Sequence, residues 1–591
     1  MSAEINAASA AETRVCQNCK TQFTIEPEDF SFYEHIKVPP PTFCPDCRMQ
    51  RRLTWRNERT LYKRTCDLCK QQIVSMYPEH SSFTVYCPEC WQSDKWDSAS
   101  YGKPYDFSIP FFTQFRALLG AVPRLSLEGY QNVNTPYSNY TWFSKDIYLS
   151  PTTISSENIG NSFSIWFSTD SFDCDHLNNS NHCNDVVNGE RCAKCAASLN
   201  IQECLDSRFL YDCRDTQHSF LSANLRHASN VLRNRRYSAE EYRVELQKID
   251  TGSFRVWEEL QREFEAMRNA AITRFAVTLK SVNVNGQAIV YSKNIHHSFN
   301  ISHSENLRYS AQALYGKDCM DVYGLGGGPE GASDLVYEGV NVGYKDSQLL
   351  FSVDTFEGMI DAQYCDLCKG SQDVFGCIGM RGKKYCILNR QYNKEEYAAL
   401  LQKILEQMRT VPYVDAQGRE YRYGEFFPAE ISPFAYNESI AQEHFPLNKK
   451  QVVASGYRWR DAETTSYTIT IPAQKLPDHI AETPESILNE VIGCAHEENC
   501  FEQCTKAFRI IASELHFYRH ENLPLPRLCP NCRHYVRIRK RTPMKLWHRS
   551  CMCEKAHPQH SGRCPNEFET SYAPDHPEIV YCEQCYQAEV V

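Results

Sequence analysis

The sequence predicts a mixed, mainly β fold. Three observations carry this reading: cysteine knuckles paired at both ends, a far end that repeats the near end, and small or thiol residues recurring at fixed steps between them. Together they imply a central β-solenoid-like segment in two related halves with helical insertions, flanked by duplicated pairs of zinc ribbons.

After a flexible tail (1–15), a first ribbon pair spans 16–100. Eight Cys-x2-Cys pairs account for 16 of the 29 cysteines. Such a pair offers two thiolates from one tight turn, and two pairs complete a tetrahedral site with Zn–S of about 2.3 Å. Pro follows the first Cys at Cys44, Cys87 and Cys529, which suits a tight turn by fixing φ. The spacing assigns Cys16, Cys19, Cys44 and Cys47 to one site and Cys66, Cys69, Cys87 and Cys90 to a second. Met1–Thr13 is Ala/Ser-rich without the apolar core of a secretory leader. No run reaches the roughly 18 apolar residues of a membrane span. The thiols are therefore read in a reducing, cytoplasmic setting, where dense Cys points to metal rather than disulfides.

The C-terminal segment, 493–591, repeats this pattern. Cys19–Cys66 aligns with Cys504–Cys551 at an offset of 485, with 17 identities in 48 ungapped positions. After a ten-residue shift, Cys69, Cys87 and Cys90 meet Cys564, Cys582 and Cys585. The third site is then Cys500, Cys504, Cys529 and Cys532, and the fourth Cys551, Cys564, Cys582 and Cys585. Cys494, His496, Cys553, His557 and His560 stay open as rival ligands.

Between the ribbons, 101–236 and 283–393 read as the two solenoid halves. Their tails repeat: Cys213–Ile249 matches Cys368–Ile404 at 14 of 37 positions. Small or thiol residues recur at steps of 9 and 12, from Ser162 to Ser222 and from Ser347 to Cys386, and a sum near 21 suggests the coil. Cys174, Cys183, Cys204 and Cys213 are then packing residues. Cys192/Cys195 and Cys365/Cys368 are read the same way, with a fifth zinc site as the alternative. The insertion 237–282 reads as helix, with Trp257, Leu260, Phe264, Met267, Ala271 and Phe275 as its core stripe. Ser238 and Asn393, each with Glu three residues on, predict capping boxes. A helix at 394–410 and a mixed α+β connector at 411–492, with strand-like Tyr467–Ile471, complete the chain.

Charge is uneven. Arg48–Arg64 holds seven Lys/Arg against Glu58, and Arg533–Arg549 holds seven and no acid. Removing these +6 and +7 from the net −10 leaves −23 on the rest. With Trp55, Tyr62, Tyr535 and Trp547 interleaved, Arg48, Arg51, Arg52, Arg56, Arg537, Arg539, Lys540 and Arg541 become candidate nucleic-acid contacts. Pairing with zinc-thiolate centres or with the acidic solenoid is the competing role. Gly324–Gly331 lacks the spacing of a phosphate loop, and no catalytic constellation stands out.

Several runs share a resemblance: Cys44-Pro-Asp-Cys-Arg48, Arg51–Arg59, Trp96-Asp97, Tyr101-Gly102, Arg381–Asn389 and Cys564–Pro574. They resemble the uncharacterised large zinc-ribbon proteins of candidate-phyla-radiation bacteria, some of which carry a CaiB/BaiF label. The resemblance implies a cytoplasmic zinc-binding protein; no residue pattern here supports CoA-transferase chemistry. The combined expectation is a non-enzymatic scaffold with about four structural zinc ions, one per four-ligand site. Its ribbons would contact RNA or a ribonucleoprotein. A protein-interaction scaffold with a partner on the solenoid, and a solenoid enzyme acting on a polymer, are the alternatives.

Overall fold

A computed structural model describes residues 10–326, 328–355, 357–461, 467–497, 500 and 502–591. Met1–Ser9 of the expected tail, Gly327 of the glycine loop and 462–466 of the connector lie outside the described residues. The fold is mainly β, with twelve α-helices among the described residues. None of these helices is long and apolar enough to cross a membrane.

Two large sheets of 13 and 12 strands dominate, and nearly all their pairings are parallel. The register explains them. In the first stack Ile165 pairs with Leu177, Leu177 with Gly189, Gly189 with Ile201, and Ile201 with Cys213, always 12 residues on. In the second, Leu307 pairs with Cys319; one longer step of 17, which takes in the glycine loop, leads to Val336, and Leu349, Ala362, Val374 and Cys386 follow at steps of 13 or 12. These columns are buried, so each rung adds apolar area to one continuous core. The rung is therefore 12 residues, not 21. The step of 9 links neighbouring columns: the Cys195 thiol donates to the Cys204 carbonyl at 3.4 Å, and Cys368 to that of Cys377 at 3.3 Å.

Every third residue from Tyr140 to Arg233 has φ between 46° and 58°. A 12-residue rung thus turns four left-handed corners. Asn and Asp tolerate that conformation better than other side chains, and they recur at corners such as Asn158, Asp170, Asn188 and Asn200. Some also form ladders along the stack, as where Asn188 Nδ2 donates to Asn200 Oδ1 at 2.8 Å. Between corners, inward serines bond one rung to the next. Ser150 Oγ accepts from Ser162 N–H at 2.9 Å, and Ser162 Oγ from Cys174 N–H at 3.0 Å. Ser and Cys interchange here because both also donate to the carbonyl two residues back.

The chain divides into two compact units. One holds residues up to Ser126, Ala276–Asp461 and Met544–Leu546; the other holds Leu127–Phe275, Ala462–Pro543 and Trp547–Val591. The N-terminal ribbons thus belong with the second stack, and most of the C-terminal segment with the first.

Several boundaries move. Glu12–Val15, expected as tail, is a strand paired with Gln22–Ile25. The first stack begins near Gly129; before it lies the helix Phe111–Ala121, whose Phe111, Phe112 and Phe115 are buried. The expected long helix is two, Ala239–Leu246 and Phe254–Ala270, separated around Gly252. Trp257, Leu260 and Phe264 form its buried stripe, whereas Phe275 lies beyond its end. Both capping boxes form, at Ser238 and Asn393, and the helix after Asn393 runs Lys394–Thr410. Tyr467–Ile471 forms no strand; only Ile471 bridges, to Ile492.

Candidate metal centres

All 29 cysteines are free. Four thiol sets gather at the ribbon ends: Cys16/Cys19/Cys44/Cys47, Cys66/Cys69/Cys87/Cys90, Cys494/Cys504/Cys529/Cys532 and Cys551/Cys564/Cys582/Cys585. Within each set the sulfurs all lie within 4.8 Å of one another.

One local construction builds all four. The first Cys directly follows a strand: Glu12–Val15, Tyr62–Thr65, Ile492–Gly493 or Trp547–Ser550. The second lies three residues before the antiparallel partner strand, which begins at Gln22, Gln72, Ala507 or Glu567. The third caps a helix, Pro45–Leu53, Pro88–Gln92, Pro530–Lys540 or Glu583–Val590, and the fourth sits at its third position. Pro at the first helical position costs nothing there because its missing N–H would have no partner. The N-terminal end of the helix dipole favours thiolate over thiol.

The hydrogen bonds repeat too. The first thiol accepts the backbone N–H of the third Cys at 3.3 Å in the first three sites and 3.2 Å in the fourth. The second and third sulfurs stand 3.7, 3.8, 3.9 and 3.9 Å apart. A zinc–sulfur bond of about 2.3 Å in a tetrahedron needs sulfurs about 3.8 Å apart. The donor set therefore fits zinc, with four protein ligands and no position left for substrate. Burial opposes the charged form of Cys66, but the N–H groups of Cys69, Cys87 and Leu68 outweigh it and bring the thiol down to about 7. Cys582 comes down to about 7 in the same way, aided by the Cys585 N–H and the Asn566 amide.

The third site corrects the expectation. Cys494, not Cys500, follows the strand and accepts the Cys529 N–H, so it holds the place of Cys16, Cys66 and Cys551. Nine residues separate Cys494 from Cys504, which hides the pair from a Cys-x2-Cys or Cys-x3-Cys reading. Cys500 is a fifth thiol, 3.8 Å from Cys532 Sγ. His496 turns to Glu502, 2.9 Å away. Cys553, His557 and His560 gather with Cys585 in a further set of four. Cys192, Cys195, Cys365 and Cys368 are buried in the stacks and donate to backbone carbonyls there.

The basic connectors also differ from expectation. Arg48, Arg51, Arg52, Arg56 and Arg537 are fully buried, so these guanidinium groups cannot reach a phosphate backbone. Arg48 Nε lies 2.8 Å from Asp321, and Arg52 spans Asp321 (3.2 Å) and Glu338 (3.1 Å). Arg51 joins Glu338 (2.8 Å) to Glu425 (3.1 Å), and Arg56 pairs with Glu58. In the other unit Arg533 and Arg537 share Asp173. Lys540 pairs with Asp185 at 2.8 Å and Arg541 with Asp175 at 3.6 Å, both largely covered. Arg539 alone of the eight has a mostly exposed side chain, at 57%, and it pairs with Glu502. Burial pushes the Glu338 carboxyl up while Arg51 and Arg52 pull it back. Burial works against the Arg533 charge, yet Asp173, Tyr518 and Glu514 hold it above the usual arginine range.

No protein-family model and no curated protein matches the chain. Among solved structures, a proposed acetyltransferase from Desulfovibrio desulfuricans G20 is 9% identical over 50% of this chain and 77% of its own, with a TM-score of 0.10. Overlap that loose carries no argument about fold or activity.

Proposed function

We propose that this protein is a zinc-stapled, non-enzymatic scaffold of a reducing compartment. Its two parallel stacks are β-solenoids, and each is clamped by a ribbon connector into one rigid body that presents the outer rungs to a protein partner. The observation that carries this reading is the pairing of closed four-thiol sites with connectors whose cations are spent on carboxylates inside the same unit. Closed sites stabilise folds, whereas catalytic zinc keeps an open position. The buried connectors favour the protein-interaction role over the nucleic-acid role.

Elemental analysis of protein purified under reducing conditions is the first test. At least about four zinc ions per chain are expected, and a value near zero overturns the reading. Chelation should cost folded structure itself, read by loss of near-UV circular dichroism, because structural zinc contributes folding energy. RNA or DNA binding should be undetectable at low salt. Tight binding whose affinity falls steeply with salt, and which survives in the folded Arg539→Ala variant, would reject the protein-interaction role.

A further inference from the structure

The two longest knuckle loops are those of the C-terminal ribbons, and the one in the fourth site carries its own ligands. Cys66 and Cys69 are separated by two residues, but Cys551 and Cys564 by twelve, among them Cys553, His557 and His560. His557 and His560 face each other across a short backbone bridge, N–H to O at 2.9 and 3.1 Å. This bridge fixes both imidazoles, whose rings stand 5.1 Å apart at 82°. His557 Nε2 lies 3.2 Å from Cys553 Sγ, and His560 Nε2 lies 3.1 Å from Cys585 Sγ. Cys553, His557, His560 and Cys585 place one ligand atom each within 4.8 Å of all the others.

Cys585 is also the fourth ligand of the neighbouring four-thiol set. We propose that its sulfur bridges two zinc ions, one held with Cys551, Cys564 and Cys582, the other with Cys553, His557 and His560. The proposal rests on the four-thiolate reading above and extends it.

The decisive point is the protons. His560 Nδ1 lies 2.7 Å from the Gly562 carbonyl, so this nitrogen carries the hydrogen and donates it. A neutral imidazole then presents a bare lone pair at Nε2. As a zinc ligand Cys585 is a thiolate with no proton to give. Two lone pairs 3.1 Å apart repel unless a cation lies between them. A metal ion satisfies both, and the carbonyl bond to Nδ1 is the usual outer partner of a zinc-bound histidine. Charge agrees. With one Zn²⁺ and Cys553 still a thiol the cluster carries 2 − 4 = −2, and with two ions and five thiolates it carries 4 − 5 = −1, a smaller burden for the buried Cys551, Cys553, Cys564, Cys582 and Cys585. Loading the second ion expels one proton, from the Cys553 thiol, as both imidazoles bind neutral.

The test uses the full chain. Zinc content should be about five per chain, falling to about four in the His557→Ala/His560→Ala variant. Cadmium-113 substitution of the wild-type protein should give two resonances coupled through the shared sulfur, a readout that needs no variant. Four ions in both proteins together with an uncoupled cadmium spectrum would overturn the bridge and leave the four ribbons standing. That result would mean an imidazolium proton occupies the gap. A wild-type content near zero would overturn the ribbons and the bridge together.

Discussion

Asp173 and Asp321 occupy matching positions in the two units: each sits at a left-handed corner, φ 57° and 58°, and each receives two arginines one helical turn apart. The arginines are Arg48 and Arg52 in one unit and Arg533 and Arg537 in the other, identical pairs at the 485 offset. An i, i+4 spacing puts both guanidinium groups on one helix face, and a corner carboxylate meets that face. Basic residues in the connectors were plain in the sequence; their partners, 173 and 321, lie more than 250 residues away in the chain and were not. Removing one partner of a buried pair leaves an uncompensated charge, worth about 3–5 kcal/mol. Asp321→Asn and Asp173→Asn should each destabilise by that amount in denaturant unfolding of zinc-loaded protein. Arg539→Ala removes a cation that is mostly exposed, leaves Glu502 its His496 partner, and should shift stability by under about 1 kcal/mol. Equal effects from the buried and exposed changes would refute the clamp.

At the level of elements, the ribbons and capped helices were legible because their signals are local. A capping box spans four residues and a knuckle four, so Ser238, Asn393 and the first two four-thiol sets could be read directly. The rungs were harder to read. Corners fall every third residue and inward columns every twelfth, so steps of 9 and 12 both fit, and summing them produced a false coil of 21. Asn, Asp and His at multiples of three were the overlooked cue. Cys494 stood only as a rival to Cys500 because its knuckle loop is long, although a strand precedes it as in the other three sites. The corner geometry makes its own prediction. Lys194 is exposed with φ 53°. Lys194→Val forces a β-branched side chain into that conformation and should destabilise by about 1–2 kcal/mol, whereas Lys194→Asn should be neutral or stabilising. Thermal unfolding of the two variants checks this, and a valine as stable as the asparagine would contradict the corner.

Across the whole molecule, the cysteines fall into two chemical populations. Eleven belong to the stacks, Cys174 through Cys386, all buried at 1% exposure or less. The other eighteen (29 − 11) belong to the ribbon ends. Burial disfavours the thiolate: Cys213 and Cys319 are pushed up to about 12 and Cys386 to about 11, with Arg226 and Lys383 only partly offsetting burial at Cys213 and Cys386. Stack thiols are therefore all protected by occlusion, and Cys213, Cys319 and Cys386 by protonation as well, independently of metal. In the proposed zinc-loaded form the metal protects the ribbon thiols; Cys19 and Cys69 are exposed, and Cys66 and Cys582 come down to about 7. Labelling with a thiol reagent at neutral pH should consequently run in two separate phases. Metal-loaded native protein should react slowly throughout. A chelator should release a fast phase of up to about eighteen thiols as the zinc sites open, while the remaining eleven wait for global unfolding in denaturant. Mass spectrometry of the labelled peptides assigns each phase to its residues. Stack cysteines labelling together with the ribbon thiols on chelation alone would mean that the rungs depend on metal, and that the two populations are one.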